Sequence, residues 1–85
     1  MTCFTYTLQV PEGLHARPAG VLAARLQNET CSVTVCCGMR KANAKGLLSL
    51  MCLAAKCGET VTVKIEGENE RALAQELAAF FAENF

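Results

Sequence analysis

Near its start the chain alternates, with Phe4, Tyr6, Leu8 and Val10 on one side and Cys3, Thr5, Thr7 and Gln9 on the other. A period of two marks a half-buried strand. Pro11, Glu12 and Gly13 bring the turn chemistry that ends it. Pro18 opens a helical stretch to about Asn28, with Leu22 and Leu26 four apart on one face. Alternation returns over Ser32 to Cys36, where Val33 and Val35 point the same way. Cys37-Gly38 predicts a hairpin turn, with Arg40 to Asn43 as its short return strand. A short helix is expected from Leu47 to about Leu53, ending before Cys57-Gly58. Thr60 to Glu66 reads as the clearest strand, with Val61, Val63 and Ile65 facing inward. Asn69 is placed to cap a last helix whose stripe is Leu73, Leu77, Phe80 and Phe81.

The predicted order is β-α-β-β-α-β-α in a single domain, residues 1–85. Strands that each bury one face call for one antiparallel layer with the helices on one side. The expected fold class is therefore α+β: an open-faced β-sandwich, a four-stranded antiparallel sheet with three helices on one face.

Charge narrows the range of partners. Eight basic and eight acidic residues cancel. No basic stripe remains to hold a polynucleotide, so no nucleic-acid partner is expected. The longest apolar run, Leu47 to Ala55, is far too short to span a bilayer, and no membrane insertion is expected. No leader pattern of charged then apolar residues is present, which predicts a cytoplasmic protein. The six cysteines, Cys3, Cys31, Cys36, Cys37, Cys52 and Cys57, include no CxxC pair. One histidine cannot complete a conventional zinc set with them. They are expected mostly as small core hydrophobes in a reduced protein, and no metal or cofactor is expected. A small metal carrier built on these cysteines is disfavoured by their spacing.

The only histidine, His15, lies between the first strand and the first helix, in Gly13-Leu14-His15-Ala16-Arg17-Pro18-Ala19. The first N–H groups of a helix lack intrahelical partners, and that end carries partial positive charge. Such an end holds a phosphate-sized anion. Pro18 gives up an N–H that the helix leaves free anyway. The N–H groups of Ala16 and Arg17 stay available, and Arg17 adds a planar cationic fork suited to phosphate oxygens. An unprotonated imidazole has a lone pair that can attack phosphorus. His15, Ala16 and Arg17 thus form a candidate phosphoryl-accepting site, with no carboxylate cluster for Mg²⁺ and no glycine-rich nucleotide loop beside it.

A second feature lies in the short helix. Apolar residues at 47, 48, 50, 51, 53, 54 and 55 cover every face. With Leu50 and Leu53 turned to the core, Leu47, Leu48 and Met51 are left to solvent as a docking patch.

These residues together resemble HPr, the histidine-containing phosphocarrier family of the bacterial phosphoenolpyruvate-dependent sugar phosphotransferase system. The likeness runs over essentially the whole chain. It includes the His15 motif, Ala42-Asn43-Ala44-Lys45 with the apolar helix after it, and Gly58 ahead of the last strand. The resemblance implies phosphorylation of His15 at Nδ1, the pros nitrogen, with enzyme I as donor and the IIA domains of sugar permeases as acceptors. It makes the chain a stoichiometric carrier, not a turnover enzyme, with Arg17 on the phosphoryl group and Leu47, Leu48 and Met51 in the docking surface. A monomer is expected, with regulatory proteins as further partners. The alternative is an HPr-like regulatory binding module, or a paralogue serving a non-sugar branch. Two positions depart from the family pattern. Gly46 stands where many members carry a regulatory serine, so no such serine is expected; Ser49 lies about a turn further on, expected on a different part of the surface. Glu12 replaces a common Asn and is expected to point away from the site or to tune transfer.

Overall fold

The computed structural model describes all 85 residues. Its elements are β1 (Thr2–Thr7), α1 (Ala16–Leu26), β2 (Ser32–Cys37), β3 (Arg40–Asn43), α2 (Leu47–Leu53), β4 (Thr60–Glu66) and α3 (Glu70–Asn84). The strands form one antiparallel sheet in the order β1-β4-β2-β3. Register explains its two faces. Phe4 pairs with Val63, Val63 with Val35, and Val35 with Ala42, so one face is apolar across all four strands. The next row, Thr5, Thr62, Cys36 and Lys41, takes the opposite face. α3 packs on β1 and β4, α2 on β3 and β2, and α1 beside α2. The result is the expected open-faced β-sandwich.

Phe81, fully buried, sits at the centre of the core, with Phe4 and Tyr6 meeting it edge-on at 5.8 and 5.9 Å. Burying a side chain of this size stabilises the fold by about 1.5–3 kcal/mol.

Several local expectations shift. β1 ends at Thr7, although Leu8 and Val10 keep the alternating burial. Beyond Thr7 the backbone bonds to other partners: the Leu8 N–H to Glu59 O, and the Gln9 and Val10 N–H groups to Phe85 O. The hairpin turn is Gly38-Met39, not Cys37-Gly38, because Cys37 still pairs with Arg40. Gly38 takes the positive φ of 63° that a two-residue hairpin needs. α1 starts at Ala16, two residues earlier than Pro18 suggested. The third helical position still leaves an N–H without an intrahelical acceptor, so proline fits there too. Asn69 precedes α3 but makes no side-chain cap and sits left-handed at φ 62°. Glu70, the first residue of α3, instead ties down the turn before the helix: its carboxylate accepts from the Gly67 N–H at 3.2 Å and from the Thr2 hydroxyl at 2.6 Å. The Thr2 bond contributes most to holding the Glu70 carboxyl down to about 2.

The cysteines are not mostly core. Only Cys31 and Cys37 are buried; Cys3, Cys52 and Cys57 are exposed and Cys36 is intermediate, all six free. Strand parity is the reason for two of them, since Cys3 and Cys36 share the open face with Thr5 and Thr62. No helix is long and apolar enough to cross a membrane.

Candidate phosphoryl-accepting site

His15 is the N-cap residue of α1, in extended conformation (φ −111°, ψ 164°). Its backbone carbonyl accepts the first helical bond, from the Ala19 N–H at 3.1 Å. The N–H groups of Ala16 and Arg17 donate to no carbonyl. Arg17 is exposed and forms no ion pair. A half-exposed imidazole, two free helix-end N–H groups and a free guanidinium therefore fall within three consecutive residues, as the sequence predicted. Glu12 is exposed in the preceding turn.

The His15 side chain does not cap the helix. Its Nδ1 lies 3.0 Å from the Gly13 carbonyl oxygen. A carbonyl can only accept, so Nδ1 carries the proton in this arrangement and the lone pair falls on Nε2. The edge of the ring contacts Phe85, with centroids 5.9 Å apart.

Gly13 is held from behind. Its φ is +65°, and an added Cβ would lie 2.6 Å from Ala55 O and 2.8 Å from Lys56 Cα. The Leu14 N–H donates to the same Ala55 oxygen at 3.0 Å. The segment 54–57, after α2, is thus the wall on which the His15 turn rests. No cavity includes His15, Ala16 or Arg17 in its lining. The site is an exposed edge, not a cleft. No group of three or more His, Cys, Asp or Glu side chains converges to hold a metal.

Leu47 and Leu48 are exposed as expected, at 43% and 77%. Met51 departs from expectation: it is half-buried and packs against the core. Val21 of α1 is exposed as well, and Leu47 Cδ2 reaches α1 beside Gly20, where an added Cβ would make ordinary contact at 3.9 Å. Gly46 is the N-cap of α2. Ser49 is not remote from it, since a Cβ at position 46 would lie 3.5 Å from Ser49 Cβ. The Ser49 hydroxyl already accepts from the Asn43 N–H at 3.0 Å.

Sequence reasoning missed the Phe85 contact and the 54–57 wall. The spacing of Phe85 from Phe81, four residues on a helical stripe, was the available signal for the first. The wall involves backbone atoms only and left none.

Glu59 braces that segment by accepting from the Lys56 N–H at 2.7 Å. This bond, ahead of contacts with Cys37 and Arg40, holds the Glu59 carboxyl below the usual glutamate range. A lowered pKa means that the stabilisation is present above the unfolded value and is lost as pH falls through the folded one. Wild type and Glu59→Gln should therefore differ in melting temperature at neutral pH and converge in acid, which thermal melts across pH 2–7 will check.

The profile described as "PTS HPr component phosphorylation site" matches residues 2–83. The chain is 36% identical over 78 residues to the phosphocarrier protein HPr of Lysinibacillus sphaericus, covering 92% of this chain and 89% of that one. It is 30% identical over 80 residues to the HPr of Chlamydia muridarum, covering 94% and 77%. The solved histidine-containing phosphocarrier protein of a Mycoplasma superposes with a TM-score of 0.91 at 26% identity, over 96% of this chain and 93% of that one. With that profile spanning nearly every residue, and His15 at the helix end, the chain belongs to the HPr family of phosphocarrier proteins.

Proposed function

We propose that this chain relays phosphoryl groups in the cytoplasm: His15 accepts one from enzyme I, charged by phosphoenolpyruvate, and gives it up to IIA domains of sugar permeases. The observation that supports this most directly is the free helix end at His15, with the Ala16 and Arg17 N–H groups unpartnered and Arg17 unpaired. Both N–H groups and the guanidinium are suited to the phosphoryl oxygens. Reaction at Nδ1 requires the ring to leave the Gly13 carbonyl, a hydrogen bond worth about 0.5–1.5 kcal/mol. The Nδ1 proton passes to Nε2 through solvent. The freed Nδ1 lone pair then forms the bond to phosphorus as the donor's bond to phosphorus breaks. Transfer onward reverses these steps on the acceptor. The test is incubation with enzyme I and labelled phosphoenolpyruvate. Acid-labile, base-stable label supports the relay, and no label sinks it.

Leu47 and Leu48 are the residues on which partners dock, with Met51 at the margin. Leu48→Glu should weaken binding to enzyme I about tenfold or more, since a charge would be desolvated in the complex. Its melting temperature should stay within a few degrees of wild type because the side chain is exposed. Met51→Glu should cost both binding and stability. Calorimetric titration beside thermal melts separates the two.

Gly46 removes the seryl switch. A serine at this position fits, because φ is −115° and the nearest atoms would make ordinary contacts at 3.5 and 3.7 Å. As an N-cap it should stabilise α2 by a few tenths of a kcal/mol up to about 1. Gly46→Ser should also become a substrate for the seryl kinase with ATP, while the wild-type protein stays unmodified. Intact-mass spectrometry decides this; phosphate on wild-type Ser49 would show the switch moved, not lost.

A further inference from the structure

Arg40, at the start of β3, reaches well beyond its own hairpin. Nη1 donates to Leu53 O at 2.9 Å, at the carboxyl end of α2. Nη2 donates to Glu59 Oε2 at 3.1 Å and lies 3.2 Å from Cys37 Sγ, and Nε reaches Cys37 O at 3.4 Å. α2 has no basic residue in its last turn, so Arg40 supplies from another element the cation that its terminal carbonyls favour. Glu59 in turn holds the Lys56 N–H through its other oxygen. Arg40 and Glu59 thereby fix both ends of the segment that follows α2.

The same segment makes the wall behind Gly13. Ala55 O takes the Leu14 N–H, and the backbone of 55–57 leaves Gly13 no space to shift back. The Gly13 carbonyl is the acceptor for His15 Nδ1. We propose that Arg40, with Glu59, is a positioning residue for His15: it sets the Gly13 carbonyl through the 54–59 segment and so decides which ring nitrogen holds the proton before phosphoryl transfer. Neither residue touches the ring. An exposed ion pair adds little to stability by itself, so the larger effect is expected on geometry. A planar fork that engages Leu53, Cys37 and Glu59 at once cannot be matched by a point charge.

The kinetic part rests on His15 as the phosphoryl acceptor; the spectroscopic part does not. His15 is the only histidine, so its two ring nitrogens are the only imidazole signals in a ¹⁵N spectrum of the full chain. The wild-type spectrum should show a preference for Nδ1–H, and Arg40→Met should lose it and move toward a tautomer mixture. In the transfer assay it should raise kcat a few-fold, up to about tenfold, with the KM for enzyme I unchanged, because the Nδ1 lone pair no longer has to be freed from the Gly13 carbonyl before it attacks. Arg40→Lys keeps the pairing with Glu59 and should fall between the two; it is read in the same way if Arg40→Met melts too low. His15 nitrogen signals identical to wild type in a folded Arg40 variant overturn the proposal, as does a rise in KM with kcat unchanged. Failure of the wild-type protein to take label would overturn the relay, while the nitrogen spectrum still decides the role of Arg40.

Discussion

His15→Ala is expected to take up no acid-labile phosphate from enzyme I and phosphoenolpyruvate, while folding as the wild type does. The chain has no second histidine, and no nearby group combines a lone pair with the helix-end N–H groups of Ala16 and Arg17. Structural cost should be small, because the half-exposed ring does not cap α1, so no cap is lost with it. What goes is one hydrogen bond to Gly13 O and an edge contact with Phe85, together about 1–3 kcal/mol. Circular dichroism and a thermal melt establish the fold, and acid lability of any label establishes its chemistry. Residual acid-labile phosphate on the folded variant would remove His15 from its proposed role. A regulatory binding module would instead keep its biological effect in His15→Ala, which separates the two readings.

Gly13→Ala should be the most destabilising single-methyl change near the site. A left-handed φ of +65° costs a residue with a Cβ about 1–2 kcal/mol. The methyl group would also lie 2.6 Å from Ala55 O and 2.8 Å from Lys56 Cα, both backbone atoms that cannot swing aside as a side-chain tip can. Overpacking of this kind costs a further 1–3 kcal/mol or so. The sum, about 2–5 kcal/mol, lowers the melting temperature by more than about 10 °C in a domain this small. Gly38→Ala is the control: its φ is +63°, yet nothing lies within 4 Å of the added methyl, so only the conformational cost applies. Equal losses at the two positions would show that the wall behind Gly13 yields easily. Relief of the clash displaces the Leu14–Ala55 bond and with it the His15 turn, so transfer should slow as well.

The element order was legible because period-two and helical patterns follow burial, and a single covered sheet face imposes the first directly. Val61, Val63 and Ile65 were readable for that reason. The start of α1 was less so, since several residues in succession can occupy a helix end. Proline at the third position of α1 is as compatible as at the first, whereas α3 does start after Asn69 but without the side-chain cap expected of it. Met51 was misplaced because a seven-residue helix apolar on every side does not specify its own rotation beyond the residues turned fully inward. His15 and Arg17 were legible as a pair at the amino end of a helix, although Arg17 proves to lie within its first turn. Arg40 was not: its partners at Leu53 and Glu59 lie 13 and 19 positions along the chain, and only the fold brings them together.

Because no cavity surrounds His15, whichever protein engages it must supply the enclosing half of the site. Donor and acceptor would then need the same exposed edge and the same Leu47–Leu48 surface. On the proposed relay they would exclude each other, so no three-protein complex would form and each transfer would require full dissociation before the next encounter. An excess of unphosphorylated acceptor would slow recharging by occupancy alone, and throughput would peak at matched partner concentrations. Weak, short-lived docking is then an advantage to such a relay, since tighter binding to either side lowers the number of cycles completed per second.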